Sequence, residues 1–259
     1  MHQKNDHWGK VMSILIVDTM DWGKPYDRAH PYAARGAWFR AGLGRNPAFK
    51  CQYVHWAQKK EHWKTKNFDL CILSGSIRSV TKNDYATQEM EKWVTWCIEN
   101  EKKLIGICYG HQLIASVFGG KVEKLKSGPR VGNVNLKPLG QKDKFLIASG
   151  FHGFAKTNWL TSHLEHVKEL PNDLEVLAES RICPIEAFKW KNMILGLQFH
   201  PEMNVDILNF LWRPHLNKTW TTRGSVPIKD QLIKSSEPTL VVSFDNFLYQ
   251  WTSTTNGCV

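Results

Sequence analysis

The segment GICYGHQL (106–113) sets one cysteine, Cys108, two residues from a glycine on either side. An apolar run, LIGI, precedes it, and HQLIASVF has the pattern of a helix opening. A residue at such a strand-to-helix corner sits in a tight turn with its side chain raised at the sheet's edge. Glycines flank it where any Cβ would meet a neighbouring element. The sulfur then points into the crevice beyond the strand ends, where open α/β sheets bind ligands. The helix N-terminus favours a thiolate over a thiol. The backbone N–H of the next residue, Tyr109, faces the space where an oxyanion would form.

A buried cysteine beside a plain structural turn would give the same short pattern, so the nucleophile reading requires a base. QFHPE (198–202) supplies one. Pro201 disfavours helical backbone at His200, and in an extended segment positions i and i+2 project to one side. His200 and Glu202 can therefore face each other, the carboxylate holding one ring nitrogen and leaving the other for proton transfer, as in a catalytic triad. The turn SGS (74–76) closes another apolar run, and Gly75 there could offer a second backbone donor to an oxyanion; a plain β-to-α turn reads the same way.

The elements that must position these residues follow from the hydrophobic pattern. SILIVD (13–18), FKCQYVHW (49–56), FDLCILSGS (68–76) and KKLIGICYG read as strands. YAARGAWFRAGL is a possible helix, and ATQEMEKWVTWCIEN (86–100) is amphipathic, with Met90, Trp93, Val94 and Cys97 on one face. This alternation predicts an α/β fold with a mostly parallel open sheet and helices on both faces. VGNVNLKP, KFLIAS and LEVLAES read as shorter strands of a small antiparallel extension. KNMILGLQFHPE returns a buried strand, and VDILNFLWRPHL a helix ended by Pro214. The expected organisation is a lead at 1–12, a catalytic unit at 13–215 and a polar, partly ordered C-terminal extension at 216–259.

The 259 residues, 42% hydrophobic and 22% charged, can bury a core without disulfides or metals. Neither a secretory signal nor a membrane-spanning run is legible, so a cytoplasmic protein is expected. None of the six cysteines falls in a C-x-x-C pair. The net charge of +10 is dispersed, without the spacing of a zinc finger, an RNA-recognition signature or a long basic helix. Nucleic acid is thus not the expected partner, and the charge suits acidic small molecules or partners as well. The twelve tryptophans are expected to be core and rim packing.

G-I-C-Y-G-H-Q followed by Q-F-H-P-E, with S-G-S before them and SHLEHVKELP (162–171) between, resembles the class I glutamine amidotransferases. The likeness spans roughly residues 13–213 and implies their flavodoxin-like fold. It implies Cys108 as nucleophile, His200 as general base and acid, Glu202 as the orienting carboxylate, and Gly75 and Tyr109 as oxyanion donors through backbone N–H groups. Gln112, Ser162 and His163 fall where the family holds the glutamyl moiety, with Arg130 near the corresponding loop. Glu165 stands where Asp is commoner, and the stretch before Ser162 is longer than usual. The implied substrate is a small γ-glutamyl molecule, hydrolysed through a γ-glutamyl thioester without metal or cofactor. The segment past the core is too short for a nucleotide-activating domain. Two enzyme readings follow: a glutaminase subunit serving a separate synthase partner, or a freestanding hydrolase of γ-glutamyl peptides such as glutathione or its conjugates. LSGSIRSVTKNDYATQEMEKW, CPIEAFKW and HPEMNVDILNFL look more like the plant γ-glutamyl peptidases. A non-catalytic binding protein of the same fold is the third reading, which the filled triad positions disfavour.

Overall fold

The run MSILIVD is buried along nearly its whole length, as a strand covered on both faces must be. It forms β1 (Met12–Asp18), which pairs in parallel with β2 (Phe49–His55) on one side and β3 (Leu70–Leu73) on the other. β4 (Leu104–Ile107) continues the parallel set beside β3. The computed structural model describes residues 11–22, 26, 28–40, 43–59, 61–140, 144–216, 228–234 and 244–255. Residues 1–10 of the expected lead, and 217–227, 235–243 and 256–259 of the expected C-terminal extension, lie outside the described residues.

The connections are the short helices α1 (Ala37–Arg40) and α2 (Glu61–Lys64), then α3 (Tyr85–Glu99) and α4 (Tyr109–Val117). α3 buries Met90, Trp93, Val94 and Cys97, the face that its spacing marks. Asp84 caps it, its carboxylate accepting from the Thr87 N–H at 2.9 Å. YAARGAWFRAGL is not one helix: α1 covers its centre, and 3-10 turns at Pro31–Ala33 and Leu43–Arg45 flank it. Gly36 takes φ +64°, a Cβ there would lie 2.2 Å from the Tyr53 ring, and its N–H donates to Asp18 Oδ2 at 2.9 Å. A continuous helix gives way to that close approach.

Beyond α4 come β5 (Lys121–Lys124), β6 (Arg130–Val134), β7 (Lys137–Pro138), α5 (Lys144–Ala148), α6 (Phe151–Ala155), β8 (Trp159–His163) and β9 (Glu165–Glu169). β10 (Glu175–Glu179), β11 (Ala187–Trp190) and β12 (Ile194–Leu197) lead to α7 (Val205–Trp212), α8 (Ile228–Ile233) and α9 (Phe244–Thr255). The large sheet runs β2-β1-β3-β4-β12-β11-β10-β7, parallel as far as β12 and antiparallel beyond it. β5 with β9 and β6 with β8 form two antiparallel ribbons. KFLIAS contains a helix, not the expected strand: an apolar run this short does not fix its own period, and packing of α5 beside α6 and α9 decides it.

Side chains alternate between the two faces of the parallel strands. Ile14, Ile16, Leu70, Ile72, Ile105 and Ile107 enter a core with α1, α6, α7 and α9, while Leu15, Val17, Cys71, Leu73 and Leu104 enter another with α3 and α4. The fold is therefore α/β with helices on both faces. α9 seats Phe247, Leu248 and Trp251 in the first core, Phe247 stacking on Phe154 with ring centroids 4.0 Å apart. No helix among the described residues is long and apolar enough to cross a membrane.

Candidate active site

Cys108 stands between β4 and α4 with φ +50° and ψ −98°, backbone that a non-glycine residue holds only under constraint. Its N–H donates to the Leu197 carbonyl at 2.7 Å, and its carbonyl receives the Gln112 N–H at 3.0 Å. The flanking glycines are required by contact. A Cβ on Gly106 would lie 2.4 Å from the Gly110 carbonyl, and one on Gly110 would lie 2.7 Å from the Leu73 carbonyl oxygen. Helix and strand thus approach closely enough to force the corner, and the sulfur, 3.6 Å from the Ser162 carbonyl, lies in a cavity.

His200 follows β12 and is fixed by its own N–H, which donates to the Leu160 carbonyl at 2.9 Å. Its Nδ1 lies 2.8 Å from Glu202 Oε1, with the two side chains only 3% and 1% exposed. That bond turns Nε2 away from the carboxylate, and Nε2 is buried without a hydrogen-bond partner among the described residues. Burial opposes the imidazolium, but the Glu202 carboxylate and, after it, Cys108 outweigh that cost and raise His200 to about 10. An imidazole held this way can protonate a leaving group and take a proton from water.

Gly75 adjoins both residues: a Cβ there would lie 2.7 Å from His200 Cε1 and 3.6 Å from Cys108 Cβ. Its carbonyl receives Thr19 Oγ1 at 3.0 Å, and Ser76 Oγ donates to the Thr19 carbonyl at 2.8 Å. Tyr109 opens α4, where backbone N–H groups lack intrahelical acceptors. Its ring is buried, donates to Thr87 Oγ1 at 3.0 Å, and is pushed up to about 12 by that burial.

The cavity has a volume of ≈ 430 Å³ and is lined by Cys108, His200, Tyr109, Gln112, Ser162 and His163, with Met20, Trp38, Leu211 and Trp212 among its apolar neighbours. Gln112 Nε2 donates to the Glu165 carbonyl at 2.7 Å and to Gln198 Oε1 at 3.1 Å. Ser162 Oγ receives Trp212 Nε1 at 2.8 Å. His163 is pushed down to about 3, first by burial, so it is neutral; its Nδ1–H donates to the Glu165 carbonyl at 2.8 Å. Arg130 is opposite His163 in the β6–β8 ribbon but does not line the cavity, its guanidinium turning back to the Asn133 carbonyl at 3.1 Å. Sequence reading gave no role to Thr19, Trp38 or Trp212, because each reaches the site through partners far along the chain. Trp38 stands edge-on to His200 with ring centroids 6.3 Å apart.

Residues 41–206 match the family model described as glutamine amidotransferase class-I, which is more than half of the chain. The chain belongs to the class I glutamine amidotransferase family. Among curated proteins it is similar to a glutamine-hydrolyzing GMP synthase subunit of Methanococcus vannielii, at 38% identity over 109 residues, 41% of this chain and 54% of that protein. It is similar also to gamma-glutamyl peptidase 2 of Arabidopsis thaliana, at 34% identity over 150 residues, 54% of this chain and 58% of that one. The chain thus spans little more than half the length of these relatives. A solved glutamine amidotransferase from Thermotoga maritima shares the fold, with a TM-score of 0.62 at 16% identity, covering 95% of this chain and 97% of that one.

Proposed function

We propose that this amidotransferase-family chain hydrolyses γ-glutamyl amide bonds through a thioester on Cys108. The observation that carries the reading is the closed His200–Glu202 pair beside the elbow cysteine, in a cavity of ≈ 430 Å³. In this reading residues 13–215 are the catalytic unit and 216–259 a C-terminal extension, of which α8 and α9 pack against the unit.

The Cys108 sulfur, its proton passed to His200 Nε2, attacks the γ-carbonyl carbon; a C–S bond forms and the carbonyl π pair moves to oxygen. The N–H groups of Gly75 and Tyr109 stabilise that oxyanion. Collapse breaks the C–N bond, and the amine leaves with the proton of His200 Nε2. Water then attacks the thioester, giving its proton to Nε2, and the second collapse frees glutamate and restores the sulfur. Gln112, Ser162 and His163 hold the glutamyl group; Arg130 acts behind them by fixing the β6–β8 ribbon.

The leaving group in this reading is an amino acid or peptide, as in glutathione or its conjugates. The similarity to gamma-glutamyl peptidase 2 over 150 residues supports it, as does the apolar lining from Met20, Trp38, Leu211 and Trp212, which ammonia does not need. The second reading is a glutaminase subunit that hands ammonia to a synthase partner, favoured by the similarity to the GMP synthase subunit of Methanococcus vannielii. Either reading predicts the same intermediate. Acid quenching during turnover, followed by mass analysis, should find a γ-glutamyl group on the Cys108 peptide. Turnover with that peptide always unmodified would contradict covalent catalysis.

A further inference from the structure

Glu165 is only 5% exposed, yet the donors that its carboxylate takes are neutral and come from one turn. Ser79 Oγ and Thr81 Oγ1 each donate to Oε1 at 2.5 Å, and the Val80 N–H donates to Oε2 at 3.1 Å. The same residue's carbonyl receives Gln112 Nε2 at 2.7 Å and His163 Nδ1 at 2.8 Å. One residue therefore ties the 79–81 turn to α4 and to the end of β8. The segment so held matters to the cavity, because Ser76, Ile77, Ser79 and Lys82 line it. At its near end Thr19 fixes Gly75 and Ser76. Glu165 is the far anchor.

We propose that Glu165 is a positioning residue that sets the separation between the 76–82 loop and the β8–β9 strands, and so the width of the cavity where the glutamyl group sits. The proposal rests on the reading of the site given above. Glu165 lines the cavity but bonds neither Cys108 nor His200 among the described residues; it acts through the loop and through Gln112 and His163. Removing the carboxylate strands the buried Val80 N–H and leaves the Ser79 and Thr81 hydroxyls only each other, 3.0 Å apart, whereas the backbone bonds to Gln112 and His163 survive. Glu165→Gln can keep the loop, its oxygen facing Val80 and its amide donating to a hydroxyl. Glu165→Asp keeps the charge but is one methylene too short.

The test is hydrogen exchange of the loop together with kinetics of glutamate release, on the full chain. Glu165→Ala should speed exchange at Val80 by about tenfold or more while the global unfolding midpoint still reports a folded protein. Its KM for the γ-glutamyl substrate should rise about tenfold with kcat within about threefold, the mark of lost substrate positioning rather than lost chemistry. Glu165→Gln should stay near native in both readouts. Should Glu165→Ala not fold, Glu165→Asp should show the same exchange and KM changes. Unchanged exchange, an unchanged KM, or a Gln variant as damaged as the Ala variant would overturn the proposal. If the native chain releases no glutamate from any γ-glutamyl donor, the functional reading fails, and the exchange rates alone decide whether Glu165 anchors the loop.

Discussion

His200 Nδ1 lies 2.8 Å from Glu202 Oε1, two residues on, and both side chains are almost wholly removed from solvent. A carboxylate buried against an imidazole has two effects. It fixes the ring so that Nε2 is presented to the cavity, and it stabilises the positive charge that the ring gains.

If His200 is the base for Cys108, its loss should leave a weaker nucleophile. Alkylation by iodoacetamide at neutral pH should slow about tenfold or more in His200→Ala. Labelling at the native rate would contradict the assignment.

Glu202→Gln should lower turnover less than His200→Ala, because in the proposed mechanism Glu202 orients and does not itself transfer protons. It should also change the pH dependence. His200 is raised to about 10 in the folded chain against 6.5 as its ordinary value. Its contribution to stability is whole below the ordinary value and is lost as pH rises through about 10. The Gln variant should therefore lose less stability across that alkaline window, measured by urea midpoints. An identical alkaline loss would contradict the coupling.

Acid should act through other histidines. His111 and His163 are each pushed down to about 3, first by burial, so the unfolded chain binds protons that the folded one refuses. Stability present above pH 6.5 should decline as pH falls towards 3, by at most about 1.4 kcal/mol per pH unit for each histidine. Urea midpoints should show His111→Gln with a shallower decline than the native chain. An equal slope would mean that His111 does not titrate on unfolding.

Gly110→Ala places a Cβ 2.8 Å from Leu73 Cβ and 2.7 Å from its carbonyl oxygen. Overpacking at a helix–strand contact costs about 1–3 kcal/mol, which a urea midpoint will report. A neutral substitution would show that α4 is not seated as tightly as the elbow requires.

Which parts of this site are legible in the sequence depends on how far apart its partners are. The elbow is written locally, in Gly106, Cys108 and Gly110, and the His200–Glu202 pair in a strand's period of two. The parallel strands show as continuous apolar runs because they are covered on both faces. The Thr19 hydroxyl that grips Gly75 is 56 residues away from it, and Glu165 is 86 residues from Ser79. No periodicity encodes such pairs. Nor does the KFLIAS segment announce its helix, since five or six residues fit either period and the neighbours α6 and α9 settle it.

Glutamate release by the purified chain alone, with glutamine and glutathione side by side and Cys108→Ala as control, tests hydrolysis through Cys108 most directly. Fast release from glutathione, abolished in the folded Cys108→Ala variant, is the expected result. Turnover of glutamine alone would move the assignment to a glutaminase subunit. Release that survives in Cys108→Ala would contradict covalent catalysis by Cys108.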